Sequence, residues 1–235
     1  MVYFANFAQR AGMDALLIGA EYFGTEGREK EWREVIELVR ERYDGPISYE
    51  FTCDSRKAYP LCWFELLDFL AYSYYPPASA ANGILDGFRT GSPDDPPSKR
   101  FAMPRELPHQ SLQDMEEYLR PRQKRIASIS ETYYNKPIVF TEFGTRSSHG
   151  SIMLPYNYTW DAPYDGQEQA DYMQAGMNTF SPLSCWMGFF WWKWDETQKR
   201  PQYHGDPAGD RGFTIQGKPA EEVFKNWART CKVHI

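Results

Sequence analysis

The chain has 235 residues, a formal net charge of −6 at pH 7 and an aromatic content of 17%. This length is sufficient for one domain with a sizeable core. The acidic balance, with a pI near 5.3 and no basic run, excludes the nucleic-acid-binding class. No segment is apolar over the roughly 20 residues that a helix needs to span a bilayer, so no membrane association is predicted.

Short apolar runs alternate with amphipathic stretches along the chain, a pattern typical of βα units around a parallel sheet. The pattern predicts helices over residues 2–11, 31–43, 111–134, 166–179 and 219–231, with a short helical segment near 60–66. It predicts strands over residues 15–21, 47–51, 68–75, 137–144 and 185–195. The predicted fold class is therefore α/β.

End signals support several of these helices. Gly12 is placed to end the first helix, because glycine readily adopts the left-handed conformation of a helix end. Ser111 followed by Asp114 resembles a capping box at the start of the fourth predicted helical segment. Pro219 is typical of a first helical turn.

The segment 76–110 is rich in Pro, Gly, Ser and Asp and has no clear period. A loop of this length inside a compact domain is typical of a functional insertion, and an ordinary solvated insertion is the alternative interpretation. The N-terminus lacks the pattern of a signal peptide. An export signal upstream of Met1 stays compatible with the sequence, so no localisation is assigned.

The four cysteines and four histidines fit no metal-site template. The cysteines are Cys53, Cys62, Cys185 and Cys231, and both a Cys53–Cys62 disulfide and isolated thiols fit their spacing. The histidines are scattered, with no paired spacing that predicts a catalytic metal. No phosphate-binding glycine motif follows a strand. The sequence therefore predicts no cofactor and no metal.

Two of the predicted strands deliver one glutamate each near their carboxyl ends. ALLIGAE ends at Glu21, and PIVFTEFG carries Glu142. Ligands of α/β sheets bind at the carboxyl ends of strands, so both carboxylates are predicted to face a ligand. Two such groups are the minimum machinery for glycosidic cleavage, one as acid/base and one as nucleophile. Loop glutamates that cap helices or form ion pairs are the alternative interpretation.

Glu26 competes with Glu21 for the first role. It follows Glu21 closely and is flanked by glycines. An acid at this position is also typical of a helix start, where it complements the helix dipole. We therefore favour Glu21 and expect Glu26 to begin the next helix.

Four segments together resemble glycoside hydrolase clan A, and within it most resemble family 113, the β-mannanase-type barrels. The segments are IGAEYFGTE (18–26), IVFTEFG (138–144), GFFWWKWD (188–195) and GFTIQGKPAEEVFKNW (212–227). The resemblance covers nearly the whole chain and implies a (β/α)8 TIM barrel. It implies that Glu21 is the acid/base, that Glu142 is the nucleophile and that the reaction retains configuration.

The resemblance also implies substrate-binding positions. Tyr74 matches the position whose hydroxyl hydrogen-bonds the nucleophile and keeps it charged. Trp192 and Trp194 match the tryptophan-rich strand that supplies a sugar platform, and strand alternation places them on one side with Phe190. Trp191 lies on the opposite side, where we expect burial.

The acid/base role requires that Glu21 be protonated at rest. We expect Ile18, Tyr22 and Phe23 to exclude water from Glu21 and so favour its protonated form. Many clan members have Asn immediately before the acid/base, and family 113 usually has Thr there. Ala20 stands at this position, which removes one hydrogen bond to the sugar.

The chain has five predicted strands, whereas a closed barrel needs eight. We expect residues 1–235 to form a single domain that corresponds to the C-terminal five-eighths of the barrel, with a loop insertion at 76–110. A longer gene product, a truncated reading of the gene and a barrel completed by oligomerisation are three explanations, and the sequence sets no oligomeric state.

The sequence thus predicts a retaining β-glycoside hydrolase that acts on a β-1,4-linked polysaccharide, with mannan first. The alternative is a catalytically inactive carbohydrate-binding remnant, or a fragment of a longer hydrolase. Both interpretations predict an oligosaccharide or polysaccharide as the partner, held by aromatic side chains.

Overall fold

The structure is a computed structural model that describes residues 1–52, 62–79, 110–158, 162–194 and 210–230. The helices are α1 Val2–Ala11, α2 Glu29–Arg40, α3 Leu112–Thr132, α4 Gly166–Phe180 and α5 Pro219–Thr230. The strands are β1 Leu16–Ala20, β2 Ile47–Thr52, β3 Leu70–Ser73, β4 Ile138–Phe143 and β5 Trp186–Trp191. Short 3₁₀ helices cover Cys62–Leu66 and Ser151–Met153. Every predicted helix and strand is present, with ends that differ by a few residues.

The five strands form one sheet in chain order, β1-β2-β3-β4-β5. The pairs β1–β2, β2–β3 and β3–β4 are parallel. Consecutive strands that pair in parallel need a crossover connection between them, which the alternating pattern predicts. The α/β class is therefore confirmed.

The chain divides into two compact units. Unit 1 comprises Met1–Tyr74, Lys124–Glu142 and Leu183–Phe189. Unit 2 comprises Tyr75–Gln123, Phe143–Pro182 and Phe190–Ile235. The single domain expected over residues 1–235 stays a prediction.

The core of unit 1 is rich in aromatic side chains. Trp32 of α2 stacks on Trp63 with ring centroids 4.8 Å apart, and Tyr49 of β2 meets the edge of Trp32 at 5.1 Å. On the same side of the sheet, Phe51 meets Tyr72 at 4.2 Å. Such offset and edge-to-face contacts add to the area that these rings bury. Many of the aromatic side chains are therefore used for packing in the core of unit 1.

Unit 2 is organised around α4 and α5, which pack on one another. Phe143 stacks on Tyr172 of α4 with centroids 5.0 Å apart. Gln169 of α4 donates to the backbone carbonyls of Thr145 and Phe213 at 2.9 and 3.1 Å. The amide nitrogen of this buried side chain therefore holds both loops against the helix.

The predicted end signals are confirmed. Gly12 ends α1 with a φ of 63°, in the left-handed region. Ser111 Oγ accepts from the backbone N–H of Asp114 at 3.2 Å, and Asp114 Oδ2 accepts from the backbone N–H of Ser111 at 3.0 Å. This reciprocal pair is a capping box with Asp in place of Glu.

Several predicted features lie outside the described residues. They include residues 80–109 of the insertion, as well as Cys53 and Cys231. Cys62 and Cys185 are free thiols. Across the described ranges, no helix combines the length and apolar character that a membrane span requires.

Candidate active site

The strand that precedes Glu21 contains one extra residue relative to its neighbour. Leu17 pairs with Ser48, and Ala20 pairs with Glu50. Between these two pairs, β1 has two residues whereas β2 has only one. An extra residue of this kind is a β-bulge, which bends the strand and re-aims the side chains that follow it.

The strand that carries Glu142 has the same irregularity. Tyr72 pairs with Phe140, but Ser73 pairs with Glu142, which leaves Thr141 as the extra residue of β4. In a regular strand Glu142 would share the face of Phe140. The bulge instead turns Glu142 to the face that Ser73 occupies. Both strands with a predicted catalytic glutamate are thus locally distorted, as strands next to active sites often are.

Glu21 follows β1 directly and has a φ of 53°, in the left-handed region. This conformation costs a residue other than glycine on the order of 1–2 kcal/mol, so its presence points to a functional constraint. The Glu21 side chain is exposed. Its Oε1 accepts a hydrogen bond from the hydroxyl of Thr52, the last residue of β2.

Glu142 is half-buried near the end of β4. Its Oε2 accepts from Ser73 Oγ at 3.3 Å, and its backbone carbonyl accepts from the N–H of Tyr74 at 2.8 Å. Ser73 and Thr52 pair directly on β3 and β2. Two neighbouring hydroxyl groups therefore hold the two predicted catalytic carboxylates, one each, at one edge of the sheet.

Tyr74 is only 6% exposed, and its ring packs against Phe140 and Tyr72 with centroids 4.9 and 5.5 Å away. Most of its surface is therefore part of the aromatic core of unit 1. Ser73 is a hydrogen-bond donor to Glu142 that the sequence analysis missed. The predicted bond from the Tyr74 hydroxyl to Glu142 stays a prediction.

The expectation for Glu26 was wrong, because α2 begins at Glu29 and Glu26 lies in the turn before it. Glu26 Oε1 accepts from the Tyr49 hydroxyl at 3.0 Å, and its carbonyl accepts from Trp63 Nε1 at 2.9 Å. These contacts fasten the turn after β1 to the aromatic core. Burial, with the neighbouring Glu26, raises the pKa of Tyr49, so this hydroxyl stays a donor.

The expected apolar cover over Glu21 is also wrong. Ile18 is buried, but the rings of Tyr22 and Phe23 are 54% and 59% exposed, and Glu21 itself faces solvent. The left-handed backbone at Glu21 starts a turn in which the Tyr22 ring stacks on Trp32 with centroids 6.5 Å apart and keeps its other face in solvent. No pattern in the sequence predicted this turn.

Glu50 is a third carboxylate at this edge, and the sequence analysis missed it. It lies on β2 between Ala20 of β1 and Ala71 of β3, and its carbonyl accepts from the N–H of Glu21 at 2.9 Å. Its side chain is 6% exposed, and burial, followed by the charges of Glu142 and Glu21, raises its pKa. The sequence feature that could have revealed Glu50 is a charged residue within the short apolar strand ISYEF.

Trp192 and Trp194 belong to unit 2 and are 43% and 60% exposed. Trp191 is instead anchored, because its Nε1 donates to the Phe213 carbonyl at 2.8 Å. The backbone N–H of Trp192 donates to the Phe143 carbonyl at 2.9 Å, and a Cβ on Gly144 would lie 2.4 Å from the Trp192 carbonyl oxygen. The glycine of the TEFG segment is therefore required for this close approach.

Unit 2 contains a group with metal-ligating atoms, His149, Asp165 and Glu168, within 4.8 Å of one another. His149 Nδ1 lies 3.2 Å from Asp165 Oδ2 and 3.6 Å from Glu168 Oε2. Asp165 also caps α4 by accepting from the N–H of Glu168, and Glu168 Oε2 accepts from the N–H of Gly150. These contacts fasten the loop after β4 to the start of α4. Burial raises the pKa of Glu168 to about 7.

Known proteins provide an independent comparison. The sequence profile of Glycoside Hydrolase Family 113 matches residues 1–218. The fold is similar to that of a GH113 β-1,4-mannanase, with a TM-score of 0.70 and 24% identity over 97% of this chain and 60% of that chain. It is similar to the GH113 β-mannanase AaManA from Alicyclobacillus acidocaldarius in complex with ManMIm, with a TM-score of 0.70 and 23% identity over 97% and 59% of the chains.

A β-glucuronidase from Ruminococcus gnavus, in complex with D-glucaro 1,5-lactone, is a more distant match. Its TM-score is 0.53, with 18% identity over 91% of this chain and 32% of that chain. No curated protein sequence matches the chain significantly.

The chain spans about 60% of the length of the mannanases that it matches. The sequential order of its five strands and this partial overlap confirm the predicted fold class, a (β/α)8 barrel that is incomplete in this chain. The profile match extends over most of the sequence and includes both predicted catalytic glutamates. The chain belongs to glycoside hydrolase family 113.

Proposed function

We propose that this protein hydrolyses a β-1,4-linked mannan with retention of configuration, with Glu21 as acid/base and Glu142 as nucleophile. One observation carries the proposal: Thr52 and Ser73 face each other on neighbouring strands, and each hydrogen-bonds one of the two glutamates. Neighbouring strands lie about 4.8 Å apart. This spacing is comparable with the roughly 5–5.5 Å between the carboxyl groups of retaining enzymes.

In the first step, Glu142 attacks the anomeric carbon as Glu21 donates its proton to the glycosidic oxygen. The carbon–oxygen bond of the leaving sugar breaks, and a glycosyl ester forms on Glu142. In the second step, Glu21 accepts a proton from water, whose oxygen attacks the same carbon and releases Glu142. The proton that Glu21 lost is thereby restored.

The surroundings of the two glutamates suit these roles. The Ser73 hydroxyl donates to Glu142 and so orients the carboxylate that acts as the nucleophile. Glu21 is exposed, so a leaving-group oxygen and an incoming water both have access to it. The Thr52 hydroxyl donates to Oε1 of Glu21 and so orients its carboxyl group.

Mannan is the preferred substrate because the family-113 structures that resemble this chain are described as β-mannanases. The exposed indoles of Trp192 and Trp194 offer apolar faces on which sugar rings stack. We assign one of them as the sugar platform and Tyr74 as a further contact of the nucleophile.

The test is hydrolysis of mannotetraose and of an aryl β-mannobioside by four variants. Glu21→Gln and Glu142→Gln are expected to abolish release of reducing ends. Glu26→Gln is the matched control, because an amide oxygen still accepts from Tyr49. Azide is expected to restore aryl-glycoside turnover to Glu21→Ala, since a good leaving group needs no acid. Wild-type rates in both glutamine variants would refute the assignment.

A carbohydrate-binding protein without hydrolytic activity is the second candidate. It is favoured by the exposed indoles of Trp192 and Trp194, because sugar rings can stack on them whether or not the carboxylates catalyse hydrolysis. Calorimetry with mannotetraose distinguishes the two candidates. Binding without release of reducing ends supports the second candidate, whereas hydrolysis excludes it.

A further inference from the structure

Three side chains of unit 2 bring an imidazole and two carboxylates together, apart from the proposed catalytic pair. His149 lies in the loop after β4, Asp165 is the N-cap of α4 and Glu168 lies in the first turn of α4. Each of the three offers one atom that lies within 4.8 Å of the atoms offered by the other two. All three belong to unit 2, so the cluster is described within one compact body.

The distances within this cluster are close to those around a bound metal ion. His149 Nδ1 lies 3.2 Å from Asp165 Oδ2 and 3.6 Å from Glu168 Oε2. In a tetrahedral zinc site with bonds of about 2.0–2.2 Å, two ligand atoms lie roughly 3.3–3.6 Å apart. The three side chains can therefore close on one ion with movements on the order of 1 Å.

The carboxylate of Glu168 is buried and only half satisfied, which points to a ligand. Its side chain is 2% exposed. Oε2 faces the imidazole of His149 and accepts from the N–H of Gly150 at 3.0 Å, but Oε1 has no hydrogen-bond partner among the described residues. The N–H of Ile152 acts on the charge of this carboxylate without forming a hydrogen bond of normal geometry.

The charge balance of the cluster is also incomplete. Among the described residues, His149 is the only basic side chain within ion-pair distance of Glu168, and it is shared with Asp165. A neutral imidazole leaves two neighbouring carboxylates without a countercharge, and a buried charge is costly unless it is paired or bound to a metal. A divalent cation would balance both carboxylates at once.

We propose that His149, Asp165 and Glu168 bind one divalent transition-metal ion, with zinc as the favoured metal. Imidazole together with carboxylates is a ligand set that suits zinc, whereas calcium and magnesium prefer oxygen ligands alone. The side chains of His149 and Asp165 are 28% and 21% exposed, so the ion has access from solvent and a water molecule completes the fourth position.

The two roles of Asp165 are compatible with one another. Its Oδ1 caps α4 by accepting from the N–H of Glu168, and its Oδ2 is the oxygen nearest the imidazole. The ion therefore joins the loop after β4 to the start of α4 without replacing the cap. This role is structural and does not depend on the catalytic roles proposed for Glu21 and Glu142. The sequence did not reveal it, because His149 has no second histidine at a paired spacing.

The first test is calorimetric titration of zinc into the untagged full chain after treatment with a chelator. We expect one zinc ion per chain. Glu168→Gln and Asp165→Asn are each expected to weaken binding by on the order of 100-fold, since even the partners that orient a ligand contribute about 10–100-fold. Asparagine still caps a helix, so Asp165→Asn covers the case in which Glu168→Gln folds poorly.

Glu131→Gln, at an exposed position of α3, is the matched control and is expected to bind zinc as the wild type does. Absence of zinc binding by the wild type would overturn the proposal. Equal affinity in the wild type and in both ligand variants would also overturn it, because the ion would then be held elsewhere.

The second test identifies the ligands by their spectrum with Co²⁺. We expect the visible bands of a four-coordinate ion with nitrogen and oxygen ligands, and we expect zinc or the Glu168→Gln substitution to abolish them. Cys62 and Cys185 are free thiols that could bind the ion instead. Intense near-ultraviolet charge-transfer bands would show thiolate ligands and would overturn the assignment.

The third test is the effect of zinc on thermal unfolding of the full chain. An ion that binds only the folded protein raises Tm, so zinc is expected to stabilise the wild type and Glu131→Gln but not Glu168→Gln. Calcium at the same concentration is expected to leave Tm unchanged. A Tm of the wild type that does not respond to zinc would overturn the proposal and indicate that protonated His149 alone holds the two carboxylates.

Discussion

At the scale of single residues, the hydroxyl of Ser73 on β3 donates a hydrogen bond to the carboxylate of Glu142 on β4. A hydrogen bond to a charged group contributes about 1.5–3 kcal/mol, and the 3.3 Å length favours the lower end. Ser73→Ala removes the hydrogen bond that orients this carboxylate. We expect kcat/KM for mannotetraose to fall by about tenfold, the equivalent of the lower figure.

The matched control for Ser73→Ala is Ser128→Ala, at an exposed position of α3. The control is expected to leave kcat/KM unchanged. An equal loss of kcat/KM in the two variants would show that the hydrogen bond from Ser73 does not position Glu142.

The sequence made Glu21 and Glu142 candidates because each is a charged residue near the end of an apolar strand. It missed Ser73, Thr52 and Glu50 for one physical reason. Which side chains meet across a sheet depends on the register of neighbouring strands, and register is a property of pairs that a single strand does not reveal. The sequence also missed the left-handed backbone at Glu21.

At the scale of elements, Gly144 follows β4 where the chain approaches the backbone of Trp192. A Cβ at this position would lie 2.4 Å from the Trp192 carbonyl oxygen, whereas a Cβ on Gly24 would meet nothing within 4 Å. We expect Gly144→Ala to lower the free energy of unfolding by about 1–3 kcal/mol, the usual cost of overpacking. Gly24→Ala is the control and is expected to change it little. Urea denaturation of both variants measures the difference.

The start of α4 is expected to respond to pH through Glu168. Burial is the largest influence on the pKa of Glu168 and, together with Asp165, raises it to about 7 against the opposing effects of His149 and of the N–H groups of Gly150 and Ile152. The associated stability is complete below the unfolded value near 4.3 and is lost as pH rises to about 7.

Glu168→Gln is expected to remove this dependence, because the amide does not ionise. Thermal melts of wild type and Glu168→Gln at pH 4.5 and pH 8 measure it. The wild type should lose more stability between the two pH values than the variant does. Parallel losses would indicate that Glu168 is charged in the folded protein at both values.

The elements themselves were predictable, because apolar periodicity and end signals such as Gly12 and the Ser111–Asp114 box act locally. The two β-bulges, in β1 and β4, were not predictable from the sequence. Regular alternation in IVFTEF would put Ile138, Phe140 and Glu142 on one face, and nothing in the six letters marks Thr141 as the extra residue. Its position follows from pairing with β3.

At the scale of the whole molecule, exposed apolar side chains are concentrated in the first helix. Tyr3, Phe4 and Phe7 of α1 are 68%, 55% and 46% exposed. An apolar cluster of this kind binds hydrophobic probes. We expect the triple substitution Tyr3→Ser, Phe4→Ser and Phe7→Ser to lower the fluorescence of the dye ANS.

The matched control for the α1 variant is Tyr134→Ser at an isolated exposed position, where the dye signal should stay unchanged. Equal fluorescence from the triple variant and the wild type would mean that α1 does not present a continuous apolar surface.

The family and the fold class were predictable at this scale because four ordered segments extend over nearly the whole chain. The division into two compact units was not, since it depends on which segments pack together rather than on any local pattern. The aromatic content pointed to sugar binding, yet packing inside unit 1 accounts for many of these rings, including that of Tyr74.

The facing hydroxyl groups of Thr52 and Ser73 belong to paired residues of the sheet. Each donates a hydrogen bond to one glutamate, so under the proposed roles of Glu21 and Glu142 the spacing of the two carboxylates depends on how β2 pairs with β3. Replacing a loop at this end of the sheet would then change the surroundings of the substrate and leave this spacing unchanged.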